Sequence, residues 1–151
     1  MFLSSGKKAV IDGFFLALVD PRFTIEGMKA LVVKQPWAEL ILCGRKTIEL
    51  RTWQTPYRGD LLICAGASHD PRGKKWEITE PRGCTIAIVT LANIRLASDR
   101  DEHRACFKPS DFAEEVYAWM LADVRPIEQI PIRGQLGLFT PPASALPALC
   151  P

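Results

Sequence analysis

Residues 34–66 read KQPWAELILCGRKTIELRTWQTPYRGDLLICAG, and the order of elements in this stretch decides the fold. Gln35-Pro36 opens a helix, since proline is suited to the first helical turn. Trp37, Leu40 and Ile41 recur at helical spacing, and Gly44 ends the helix where the chain must turn left-handed. Thr47–Arg51 then alternates as a strand. Asp60–Ala65 reads as a buried strand bounded by Gly59 and Gly66. A single short helix set among short strands predicts an α+β fold rather than a bundle or a doubly wound sheet.

Working outward, Ala30–Val33 is an apolar β-branched run of strand type, and Cys84–Leu96 is the longest β signal. In the latter, Ile86, Ile88 and Ile94 share one parity, and Val89 and Leu91 the other. The connection ASHDPRGKKWEITEPRG, residues 67–83, is polar and rich in Pro and Gly, as functional loops often are. Ser98–Pro109 is a second polar insertion. After it, Ser110-Asp111 offers a helix cap, with Glu114 completing a capping box after Asp111. Val116–Leu121 fits a helix face through Phe112, Val116, Trp119 and Met120, yet VYAWML also suits a buried strand. Gly134–Phe139 reads as a final strand.

The chain has 151 residues, 24% of them charged and 48% hydrophobic, which suits one domain with its own core. Nineteen basic and seventeen acidic residues leave a formal +2. That balance excludes generic polyanion binding, so a polyanion site must be a local cluster. No apolar run approaches the roughly 20 residues of a membrane helix. Residues 1–27 read as an extension or leader preceding a domain at 28–140, with a proline-rich, disordered tail at 141–151. Asp12 interrupts the apolar stretch of the extension, which argues against a secretory signal. Alternatively, Phe14, Phe15 and Leu16 pack on the domain as an extra strand or helix. The five cysteines, Cys43, Cys64, Cys84, Cys106 and Cys150, are odd in number and contain no C-x-x-C pair. Reduced thiols in a cytoplasmic protein follow, with no disulfide framework, metal or cofactor.

The chemistry concentrates in Gly44-x-Lys46-x-x-Glu49-x-Arg51. Thr47, Glu49 and Arg51 share one side of a strand, and Lys46 sits at the bend before it. Arginine brings a planar fork of donors for phosphate, and lysine a mobile point charge. Glu49 can orient either cation or accept from a base amine. Arg45, Arg58, Lys74 and Lys75 add charge, while Trp53, Tyr57 and Trp76 add flat faces; cations among aromatics are the composition of a single-strand or nucleotide site. Trp37 and Trp119 are assigned to the core. The competing account makes Lys46, Glu49 and Arg51 a solvated ion-pair strip.

The G-x-K-x-x-E-x-R pattern after QPWAELI, followed by YRGDLLICA and by VYAWMLADVRPIEQIPIRGQLGLF, resembles the ASCH domain, named for activating signal cointegrator homology. The resemblance covers about residues 28–140. It implies a PUA-like fold: a small, mostly antiparallel β-barrel with flanking helices and a basic cleft that takes RNA or a nucleotide-like ligand. It also implies that Val116–Leu121 is a strand. On this account Lys46 and Arg51 hold phosphate, Glu49 fixes Arg51 or reads a base, and Trp53 or Tyr57 stacks. Arg58 supplements the charge, and Lys34, Gln35, Ser68 and His69 form the rim. One bacterial branch of the family deacylates N4-acetylcytidine through a lysine and a threonine in the form G-x-K-x-x-T-x-R. Here the threonine position is Glu49, and a carboxylate does not replace an alcohol nucleophile. The alternative function is therefore a hydrolase of RNA or of a modified nucleoside, with Lys46, Glu49 and His69 as the candidate groups. In it Lys46 is a poor base beside Glu49 unless desolvated, and His69 supplies an imidazole.

Overall fold

Strand β3 (Lys29–Gln35) and strand β5 (Gly59–His69) run parallel, because the chain between them makes helix α1 (Trp37–Leu42) and strand β4 (Ile48–Arg51) before returning. In the computed structural model, residues 8–11, 14–17 and 27–147 are described. Strands β6 (Cys84–Leu96), β7 (Tyr117–Pro126) and β8 (Leu138–Phe139) complete a six-stranded mixed sheet in the order β4-β7-β6-β5-β3-β8. Every neighbouring pair except β3–β5 is antiparallel. The sheet curls into a half-barrel, with β4 and β8 as its edges. Strands β1 (Lys8–Ile11) and β2 (Phe14–Ala17) form a separate antiparallel hairpin. No helix among the described residues is long and apolar enough to cross a membrane.

Helix α1 fills the hollow of the half-barrel. Trp37, Ala38, Leu40 and Ile41 are buried against Leu31, Val33, Leu61, Ile63, Leu91 and Trp119. Burying a side chain such as Leu40 or Ile41 stabilises by about 1.5–3 kcal/mol. At its start the Gln35 carboxamide accepts from Glu39 N at 3.0 Å and donates to Pro81 O at 2.6 Å. At its end Gly44 takes φ +81°, the left-handed conformation that glycine adopts without strain. The outer face of β3, β5 and β6 carries a second cluster of Met28, Ala30, Leu62, Cys64, Ile88 and Phe139. Strand β5 is thus buried on both faces, which accounts for the unbroken apolar run LLICA.

The ambiguous VYAWML segment is strand from Tyr117 on, as the family resemblance implies, with Val116 just before it: Trp119 enters the main core while Ala118 joins Ile48, Leu50 and Val116 on the other side. Three expectations are corrected. Ile86 and Ile94 join Val89 and Leu91 in the main core, and Ile88 faces the second cluster alone. Register shifts at Ile88/Thr90 and Leu91/Asn93 break the simple alternation of β6. The residues after Asp111 form no helix; the reciprocal cap lies earlier, where Ser98 N donates to Asp101 Oδ2 at 3.0 Å. The last strand is only Leu138–Phe139, and beyond it Ala145 is buried and Leu146 packs on the second cluster. Residues 148–151, with Cys150, lie outside the described residues, as does most of the extension.

Candidate functional site

Strand β8 covers only Ala30 and Leu31 of β3, so the edge of β3 beyond them is not paired with another strand. The curl of the sheet brings edge strand β4 opposite that uncovered stretch. The gap between β4 and β3 is a cleft of about 880 Å³, within the usual range for a ligand site. Arg51 reaches across it: Nη2 donates to the Val32 carbonyl at 2.8 Å, and Nε donates to Glu49 Oε1 at 3.0 Å. A guanidinium has five N–H groups. Two are used by these bonds, which leaves three on a residue that lines the cleft.

Behind Arg51 the motif runs inward. Glu49 is 6% exposed and Lys46 2%. Lys46 Nζ lies 3.5 Å from Glu49 Oε2, donates to Ala105 O at 2.5 Å, and stands 5.4 Å from the Trp37 ring centre. This burial rules out the solvated strip. Removal from water lowers the Lys46 pKa below its ordinary value, although the Glu49 carboxylate acts in the opposite direction. Desolvation weakens a lysine as a base but raises the fraction of it that is neutral and able to accept a proton.

The lining is also aromatic, through Trp37, Trp53, Phe107 and Phe112. Trp53 packs edge-on to Trp119 with centroids 4.7 Å apart, and the Trp119 indole donates to Trp53 O at 3.2 Å. Arg72 lies over Phe112 at 4.8 Å and Phe107 at 5.4 Å. Asp70 holds it there through bonds of 2.8 and 3.1 Å, and also accepts from Trp37 Nε1 at 2.9 Å. Burial pushes the Asp70 pKa up, but the bonds from Arg72 and Trp37 outweigh it and hold the carboxyl well below its usual range. The loop 132–137 closes one side. A Cβ on Gly134 would collide with Val32 Cγ2, so glycine there lets the loop lie directly on β3.

Five cations, Lys34, Lys46, Arg51, Arg72 and Arg133, line the cleft against two carboxylates, Glu49 and Asp70. The arrangement suits a ligand with one anionic end and one flat apolar part. Of the residues singled out in the sequence, Lys34, Lys46, Glu49, Arg51 and Trp53 come together here. Gln35, Tyr57, Arg58, Ser68 and His69 do not line the cleft. Gln35 is fully buried at the helix start. The Tyr57 hydroxyl donates to Asp60 O and accepts from Lys29 N. Arg58 bonds to the carbonyls of Thr55 and Tyr57. Asp70, Arg72, Phe107, Phe112 and Gly134 were not foreseen. Their one signal was the Asp-Pro-Arg-Gly run, in which Asp70 caps the 3-10 turn Pro71–Trp76 by accepting from Arg72 N.

The sequence model of the ASCH domain matches residues 31–131. Activating signal cointegrator 1 of Homo sapiens is 34% identical over 110 residues, 60% of this chain and 19% of that protein. The Mus musculus protein of the same name is 37% identical over 94 residues, 50% of this chain and 16% of that protein. The chain therefore spans less than a fifth of the length of these relatives. The crystal structure of ASCH from Zymomonas mobilis superposes with a TM-score of 0.58 at 18% identity, covering 78% of this chain and 90% of that one. A serine-to-alanine mutant of the same Zymomonas mobilis protein gives 0.56 at 16% identity, over 82% and 94%. These likenesses show the fold, a PUA-like α+β half-barrel.

Proposed function

The chain belongs to the ASCH domain family, and from that premise we propose that its cleft binds RNA by receiving one nucleotide unit of a single strand. The observation that carries this reading is Arg51, pinned between Glu49 and Val32 while it lines the cleft. A guanidinium fixed on two sides loses little freedom on meeting a phosphate, and its fork matches phosphate oxygens. Lys34 and Arg133 add charge at the rim. Trp53 and the Arg72 plane offer faces for a base, and stacking of this kind contributes about 1–3 kcal/mol per base. Lys46 serves as a floor group that positions Glu49. A thermal-shift screen with nucleoside monophosphates and short single-stranded RNA tests the reading. Stabilisation of wild type, absent in Arg51→Ala, supports it.

A hydrolase reading has one specific observation in its favour, the buried Lys46 whose pKa is lowered by desolvation beside Glu49. In that reading a neutral Lys46 takes a proton from the attacking group. Incubation with labelled RNA and with N4-acetylcytidine, with and without a divalent metal, separates it from binding alone. Product formation lost in Glu49→Gln while binding persists would support turnover.

A further inference from the structure

A second groove of about 640 Å³ adjoins the cleft, and Arg72 and Phe107 line both. Its walls come from the 3-10 turn Pro71–Trp76 and from the insertion between β6 and β7. Arg45, Lys75, Arg100 and Lys108 line it, and none of the four makes an ion pair among the described residues. Against them the groove carries three carboxylates, Asp99, Glu102 and Asp111, of which Asp99 is fixed by Ser110 N and Oγ, both at 2.9 Å.

Two of the cations are held in place by one ring. Arg45 Cζ lies 4.8 Å and Lys75 Nζ 5.4 Å from the Trp76 ring centre. Cation–π contact places both charges together without neutralising them. The Trp76 Nε1–H is buried and has no hydrogen-bond partner. An indole nitrogen only donates, so any partner it gains must be an acceptor such as a phosphate or sugar oxygen.

We propose that this groove is a second phosphate-binding site, in which Arg45 and Lys75 hold the backbone of a single-stranded RNA as it leaves the cleft over Arg72. The proposal rests on the reading of the cleft as a nucleotide site, and it extends the ligand from one unit to a strand. The shared wall at Arg72 makes the two sites continuous. The surplus of unpaired cations calls for a polyanion, and a strand entering from the cleft carries one phosphate per nucleotide.

Labelled oligouridines of three and ten nucleotides test this. Wild type should bind the decamer at least tenfold more tightly than the trimer. The double variant Arg45→Gln/Lys75→Gln should lose that gain and leave trimer affinity unchanged, since neither residue lines the cleft. Its salt dependence for the decamer should flatten by about 0.7 per lost phosphate contact, the single-strand value. If the double variant binds the decamer as wild type does, or if the decamer binds no better than the trimer, the groove proposal is overturned; trimer binding that still needs Arg51 then leaves the cleft reading intact. If decamer binding depends on Arg45 and Lys75 but the trimer is indifferent to Arg51→Ala, the groove stands and the cleft reading fails. Displacement of the decamer by polyglutamate at equal concentration would overturn the assignment to nucleic acid.

Discussion

Arg51 on β4 and Val32 on β3 are joined across the open side of the half-barrel by a 2.8 Å hydrogen bond from Nη2 to the carbonyl oxygen. One side chain thus does what a strand pair does elsewhere in the sheet, and it does so at the mouth of the cleft. The bond explains why an arginine suits this position. Only a planar, multi-donor head can brace the seam, bond Glu49 and still present N–H groups to a ligand.

The seam also depends on Val32 and Gly134. Because a Cβ at residue 134 would collide with Val32 Cγ2, Gly134→Ala should lower stability by about 1–3 kcal/mol through overpacking and weaken RNA binding. Adding Val32→Ala should recover much of both losses. Thermal melts and RNA titrations of the single and double variants check this, and a purely additive loss in the double would refute the contact.

Lys46 leads to a pH prediction. Burial lowers its pKa below 10.5, with Glu49 opposing. Between the folded value and 10.5 the unfolded chain binds more protons, so stability rises with pH in that window. The free-energy gap between wild type and Lys46→Met should therefore shift in favour of wild type as pH climbs toward 10.5. Urea unfolding of both proteins at several alkaline pH values measures it, with both carried in a Cys106→Ala background because that thiol is electrostatically coupled to Lys46. A gap independent of pH would contradict the assignment.

Asp70 gives a slope of the same sign, but in acid rather than alkali, and from a stabilising contribution rather than a burial penalty. Its pKa is held down by Arg72 and Trp37 against the effect of burial. Its contribution is complete above the ordinary carboxyl value of about 3.9, and is lost as pH falls toward the lower folded value. Asp70→Asn should cost about 1–3 kcal/mol at pH 7, the range for a buried group losing charged partners. The cost should shrink in acid. Denaturant melts from pH 7 down to pH 2 would show the two curves converging.

Much of the fold was legible because its signals are local. Gly44 and the helix face of Trp37, Leu40 and Ile41 are set by backbone conformation and period. The limits of β6 matched the sequence reading at Cys84 and Leu96 because turn residues bound an apolar run. What was not legible depends on tertiary geometry. Bulges in β6 move Ile94 to the other face. Arg72, Phe107 and Phe112 come from polar insertions, and only folding against α1 and β4 brings them beside Arg51. Tyr57 carried the right chemistry for stacking, but its hydroxyl is tied to Lys29 and Asp60.

The domain is expected to fold from Met28 onward. Met28 is 2% exposed and packs in the second cluster with Ala30 and Phe139. A truncated chain beginning at Met28 should keep a cooperative thermal transition. Aggregation of that chain, with the full-length protein soluble, would show that the preceding residues belong to the fold.

The central claim is tested most directly by titrating wild type, Arg51→Ala and Arg51→Lys with one single-stranded RNA at two salt concentrations, with circular dichroism confirming that each is folded. Arg51→Ala should bind at least tenfold more weakly and with a salt slope smaller by about 0.7, the value for one phosphate contact on a single strand. Arg51→Lys should recover only part of the affinity, because an ammonium lacks the fork that bridges Glu49, Val32 and phosphate. Equal affinities and equal salt slopes for the three folded proteins would contradict the account.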